Sequence, residues 1–213
     1  ADALDVLVTG GRFANTGAFI STGEAQVSGN GQFLATAGDA EYRIVDGAGL
    51  TIAGSKAKAG FDGVNGAVSE FSVLDGGHLT FVADANGFSK LAEFRSGSYG
   101  EQASDVRSTV ELGGTLGINL TDATLKAGEN AWTLIDADEI LFDFSSVEIT
   151  GLEEDHNATI FVDRVRDEVR VVVGADGTGT GEFSVVTVDD RTDATALRTA
   201  SLDMDEVWSA IGY

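Results

Sequence analysis

A chain of 213 residues with 35 acidic and 13 basic side chains carries a formal net charge of −22. That balance argues against nucleic acid and anionic membrane surfaces as partners, because both are held by clustered Lys and Arg. Cysteine is absent, which removes disulfides and thiolate metal centres. Proline is absent too while glycine occurs 28 times, so nearly every backbone N–H is available to a hydrogen-bonded ladder.

In chain order the pattern is one of short strands closed by glycine turns. Glycines cluster at Gly10-Gly11, Gly29 to Gly31, Gly47 to Gly49, Gly60 to Gly66, Gly76-Gly77, Gly97 to Gly100 and Gly113-Gly114, at spacings near the coil length of stacked repeat folds. Period-2 alternation marks Val6 and Val8, Phe13, Phe19, Val27, Phe33 and Ala35, Ile44, Leu50 and Ile52 as inward positions. The stretch 54–66 lacks that alternation and reads as a protruding loop. Strands resume at 71–74, 79–82, 91–94, 108–112, 116–120, 132–135 and 147–150. Two strongly alternating runs, 159–163 and 168–173, flank a polar turn and predict an antiparallel hairpin.

These elements define a β-solenoid domain over 1–173, followed by a glycine-rich linker at 174–181. The segment 182–213 then offers a strand at 183–188 and a helix. Asp203 and Glu206 stand at capping-box spacing, and Met204, Val207, Trp208 and Ile211 form one apolar face. A helix so short must be buried against something. With a tether before it, the segment either folds back over its own solenoid or docks on a neighbouring subunit; the second is expected, because the strand at 183–188 suits pairing with another sheet edge.

Between residues 72 and 173 the runs Val73-Leu74-Asp75-Gly76-Gly77-His78-Leu79-Thr80-Phe81-Val82, Asp84-Ala85-Asn86-Gly87, Leu112-Gly113-Gly114-Thr115-Leu116 and Ala127-Gly128-Glu129-Asn130-Ala131-Trp132-Thr133-Leu134-Ile135 stand out. This pattern resembles the C-terminal coils of bacterial exported β-helix surface proteins of the autotransporter-passenger and sorting-signal-bearing types. The resemblance implies an all-β fold, a right-handed parallel β-helix with an antiparallel C-terminal part. It also implies an extracellular or cell-surface location and a structural or adhesive role. It supplies no catalytic residue.

Acidic turns are the candidate ligand sites. Asp84-x-Asn86-Gly87 resembles the opening of a calcium loop, although Arg95 stands where the distal glutamate belongs. Asp136-x-Asp138 places two carboxylates on one side of an extended segment, so calcium is the candidate ion for Asp84, Asn86, Asp136 and Asp138. The pairs Asp136 with Asp138 and Asp163 with Asp167 have the residue types of glycosidic-bond chemistry. His78 and His156 lack a second histidine at metal-binding spacing. Trp132 and Trp208 read as core residues. The sequence-level expectation is therefore a non-enzymatic structural subunit that binds copies of itself. Its assembly residues would be Val6 and Val8 at an open N-terminal end, with Phe183, Val185, Met204, Val207, Trp208 and Ile211 at the other. The alternative is a module that binds or processes polysaccharide.

Overall fold

The computed structural model describes residues 6–15, 18–35, 41–62, 68–94, 107–141, 143–175, 177 and 179–189, and within them the chain is strands and turns without a helix. The expected helix, with Met204, Val207, Trp208 and Ile211, lies outside the described residues.

Three sheets share the strands. Sheet A contains β1 (Val6–Val8), β4 (Glu24–Ser28), β7 (Gly49–Ala53), β10 (His78–Val82), β13 (Thr115–Asn119) and β16 (Ser146–Thr150). Sheet B begins with β2 (Arg12–Asn15), β5 (Gln32–Ala35), β8 (Lys58–Asp62), β11 (Leu91–Phe94) and β14 (Gly128–Asp136). Sheet C stacks β3 (Ala18–Ser21), β6 (Glu41–Ile44), β9 (Val68–Val73), β12 (Arg107–Leu112) and β15 (Glu139–Leu141). The chain thus visits the sheets in rotation, and from β1 to β13 each strand pairs in parallel with the one three places later. In sheet A, Val6 lies beside Ala25, Ala25 beside Leu50, Leu50 beside Leu79, Leu79 beside Leu116 and Leu116 beside Val147. One circuit therefore takes 19, 25, 29, 37 and 31 residues in turn.

Register explains the core. A parallel in-register ladder stacks like positions, so one rank of sheet A runs Val6, Ala25, Leu50, Leu79, Leu116, Val147 and the next Val8, Val27, Ile52, Phe81, Ile118, Ile149. The central members of both ranks are buried, each large side chain contributing about 1.5–3 kcal/mol through removal from water. In sheet C the corresponding rank is aromatic. Phe19, Tyr42 and Phe71 stack with centroids 5.1 and 5.2 Å apart, and Phe13 stacks on Phe33 at 4.7 Å in sheet B. The inward positions expected at Val27, Phe33, Ile44, Leu50 and Ile52 are buried, while Val6, Val8, Phe13 and Phe19 pack half-buried on the core at one end.

The expected loop at 54–66 is corrected by β8, a central strand whose Ala59 and Phe61 are buried together with the preceding Ala57. The alternation is present but written in alanine, with Lys56 and Lys58 between, so it reads as polar. Gly60 lies where a Cβ would run into the Ala92 backbone, at φ +135°, a conformation that favours glycine.

Sheet B ends in the expected hairpin. Strand β18 (Glu168–Ala175) is antiparallel both to β14 and to β17 (Asn157–Asp163), and β19 (Phe183–Val188) pairs in parallel with β17 at the sheet edge. Two reversals cancel, so β17 and β19 run in the same direction as β14. Strand 183–188, expected to join a neighbouring subunit, pairs here within its own chain. The Asp163 carboxylate makes the hairpin turn by accepting the Val165 and Arg166 N–H groups at 2.9 and 3.0 Å. Gly174 and Ala175 belong to β18, and the N–H groups of Gly179 and Gly181 donate to the carbonyls of Asp155 and His156.

Candidate functional sites

The predicted acidic positions are placed on separate parts of the surface. Asp84 sits between β10 and β11, where its Oδ2 accepts the Ser55 N–H at 2.9 Å and hydroxyl at 2.8 Å, and its Oδ1 accepts the Asn86 N–H at 2.7 Å. Chiefly through the Ser55 N–H, these bonds hold its carboxyl below the ordinary carboxylate range. The turn is also packed: Gly87 lies under the Trp132 indole, which meets the Phe88 ring edge-on at 5.4 Å. Trp132 is thus half-buried over this turn rather than free for a ligand.

Asp136 and Asp138 do not share one side of an extended segment. The chain leaves sheet B between them and enters sheet C at Glu139. Asp136 pairs with Lys90, whereas Asp138 Oδ2 accepts the Ser108 N–H at 2.9 Å.

Beyond Asp138 a cavity of about 450 Å³ is lined by Asp138, Glu139, Ile140, Leu141, Arg164 and Asp167. Asp167 occupies a left-handed backbone conformation at φ 55°. Burial pushes its carboxyl up, opposed by the Ile140 N–H it accepts and reinforced by the charges of Glu139, Asp138 and Asp163. Asp163 and Asp167 are therefore both engaged with backbone. On the rim, Arg164 bridges Asp143 at 2.9 Å and Asp189 at 2.6 Å, fastening the end of β19.

Two constellations were not legible as units. On the outer face of sheet A, Glu24, Gly49 and His78 are in register on β4, β7 and β10, and His78 Nε2 crosses the glycine to Glu24 Oε1 at 3.1 Å. At the connection from β16 to β17, Glu153, Asp155 and His156 bring three potential ligand atoms together. The acidic run Glu153-Glu154-Asp155 is legible in the sequence as a further acidic turn, but His156 beside it is set apart because no second histidine stands at metal-binding spacing.

Those expected assembly residues that are described lie at the sheet edges. Val6 and Val8 belong to β1, with their side chains packed inward, while Leu7 between them is 67% exposed. Phe183 and Val185 on β19 are 43% and 47% exposed. They share the face of Ala158 and Ile160, their partners on β17, which belong to the core.

Comparison with known proteins gives no match to a protein-family model, a curated protein or a solved structure.

Proposed function

We propose that the chain is an exported, non-enzymatic structural protein, a right-handed β-solenoid that assembles with copies of itself into a surface layer, filament or matrix. Parallel strand, crossover, parallel strand connections are right-handed in about 98% of cases, and the rotation among three sheets repeats that connection throughout. The direction of the sheet edges carries the functional reading. β1 and β16, β2 and β19, and β3 and β15 are opposite edges of their sheets, and each pair runs the same way.

An edge strand offers unpaired N–H and C=O groups to another chain. With like-directed opposite edges, a second copy adds head to tail, the geometry of open filaments rather than closed dimers. In sheet A, an incoming β1 beside β16 continues both core ranks, Val6 after Val147 and Val8 after Ile149. Phe183 and Val185 supply apolar surface at that end, and the net charge of −22 limits association elsewhere.

The test is sedimentation velocity over a wide concentration range with electron microscopy of the concentrated protein. Wild type is expected to form elongated assemblies, and Leu7→Lys with Val185→Lys, both exposed positions, to remain a folded monomer. Wild type that stays monomeric throughout refutes the reading.

Polysaccharide binding is the second reading. It is favoured by the outward face of sheet A, where Thr51 and Thr80, Thr115 and Ser146, and Asn119 and Thr150 stand in register as hydroxyl and amide ranks. Retention on an insoluble polysaccharide that Leu7→Lys/Val185→Lys leaves unchanged would favour it.

A further inference from the structure

We infer that Glu153, Asp155 and His156 form a binding site for a divalent transition-metal ion of the zinc class at the connection between β16 and β17. One ring nitrogen and one oxygen from each carboxylate lie within 4.8 Å of one another. The imidazole stands between the two acids, Nδ1 3.9 Å from Glu153 Oε2 and Nε2 3.8 Å from Asp155 Oδ1. Both separations exceed hydrogen-bond length.

His156 is about nine-tenths buried, 9% exposed over the residue and 11% over its side chain. Its Nδ1 is shielded from solvent and has no hydrogen-bond partner among the described residues. Leaving a buried polar atom unsatisfied is unfavourable, so a ring nitrogen 3.9 Å from the Glu153 carboxylate without bonding to it points to a missing electron acceptor. A cation is that acceptor. Metal–ligand bonds of about 2.0–2.2 Å in a tetrahedral set place ligand atoms roughly 3.3–3.5 Å apart. One ring nitrogen and the two carboxylate oxygens reach that spacing through rotation of the Glu153 and Asp155 side chains, both exposed.

The donor set selects the ion class. Imidazole with carboxylates suits zinc and its first-row neighbours, whereas calcium takes 6–8 oxygen ligands. Three protein ligands leave a position for water.

Backbone bonds hold the donors in place. The His156 N–H donates to the Glu153 carbonyl at 3.0 Å, while Gly179 and Gly181 donate to the Asp155 and His156 carbonyls at 2.8 and 2.9 Å. A Cβ at Gly179 would run into the His156 backbone, so glycine is what allows the segment leading to β19 to lie against the turn. A bound ion would lock the turn on which that segment rests, coupling metal affinity to the stability of the β19 edge.

The test is titration of the chelator-stripped full chain with zinc, and with cobalt as an absorbing probe, in physiological salt with excess magnesium to occupy unspecific carboxylates. The expected result is one ion per chain, with affinity at least tenfold weaker in Glu153→Gln/Asp155→Asn. Those substitutions lie on exposed side chains, and an unchanged circular dichroism spectrum confirms the fold. His78→Gln should bind as wild type, excluding the other histidine. The inference is overturned by absence of stoichiometric binding, by equal affinity in the double variant, or by calcium displacing zinc at equal concentration.

Discussion

Protonation affects one buried tyrosine and two partly buried carboxylates in different ways. Tyr42 is stacked between Phe19 and Phe71, and burial pushes its hydroxyl up to about 12 from 10.0. A raised acid contributes stability that is present below the unfolded value and lost as pH rises through the folded one. Wild type should therefore weaken between about pH 10 and 12 relative to Tyr42→Phe, with the two within about 1 kcal/mol at pH 7. Urea midpoints at both ends of that window decide it.

Asp84 and Asp167 shift in opposite directions. For Asp84, held low by the Ser55 N–H, the contribution exists above the ordinary value of 3.8 and disappears as pH falls through the folded value. Asp84→Asn keeps one acceptor oxygen and loses the other, giving up at least one of the three bonds, and should cost about 1 kcal/mol at neutral pH, the difference shrinking in acid. Asp167 is raised by burial, so its charged form opposes folding above its folded value and ceases to do so below 3.8. Asp167→Asn keeps an acceptor for the Ile140 N–H and tolerates the left-handed backbone. It should gain roughly 0.5–1 kcal/mol at pH 7 and lose that advantage in acid. Equal pH profiles for the two substitutions would contradict both assignments.

Among the elements, legibility followed side-chain size. Ranks of Leu, Ile, Phe and Val made β10, β13, β17 and β18 readable, because a bulky apolar residue recurs at every second position through the run. Strand β8 was hidden by Ala57 and Ala59, whose small side chains suffice where Phe33 and Phe61 fill the adjacent space. The corner at 137–138 was invisible because an extended run and a corner between two strands share the same letters. Glu153, Asp155 and His156 are near one another in sequence, but the turn that carries them is also held by Gly179 and Gly181, a contact between segments that no local pattern encodes.

The strand assignment of β8 has a sharp test. Gly60→Ala should destabilise by on the order of 3 kcal/mol, since a methyl meets the Ala92 backbone at a strained φ. Gly174→Ala, in β18 with open space around it, should change stability by no more than about 0.5 kcal/mol. Comparable urea midpoints for the two variants would return residue 60 to an exposed loop.

For the whole molecule the dominant long-range effect is self-repulsion. A net charge of −22 opposes compaction, and at low ionic strength little screens it, the Debye length being about 30 Å at 0.01 M against 8 Å at 0.15 M. Thermal stability should rise with sodium chloride across that range, by roughly 2–4 °C for each kcal/mol of repulsion relieved. Stripped protein given zinc in high salt should show a further increase, separating the bound ion from screening. A melting temperature indifferent to sodium chloride would mean that the acidic side chains are already too far apart to matter.

The unequal circuits have a consequence for what the molecule can carry. The step from sheet B to sheet C runs from Asn15 to Ala18, from Ala35 to Glu41, from Asp62 to Val68 and from Phe94 to Arg107, yet Phe19, Tyr42, Phe71 and Val110 remain in one rank. The architecture tallies rungs and disregards the length of chain spent at this corner. A guest peptide spliced between Asp62 and Val68 should therefore leave every inward residue in step, since the strands on either side keep their register with Phe94 and Arg107.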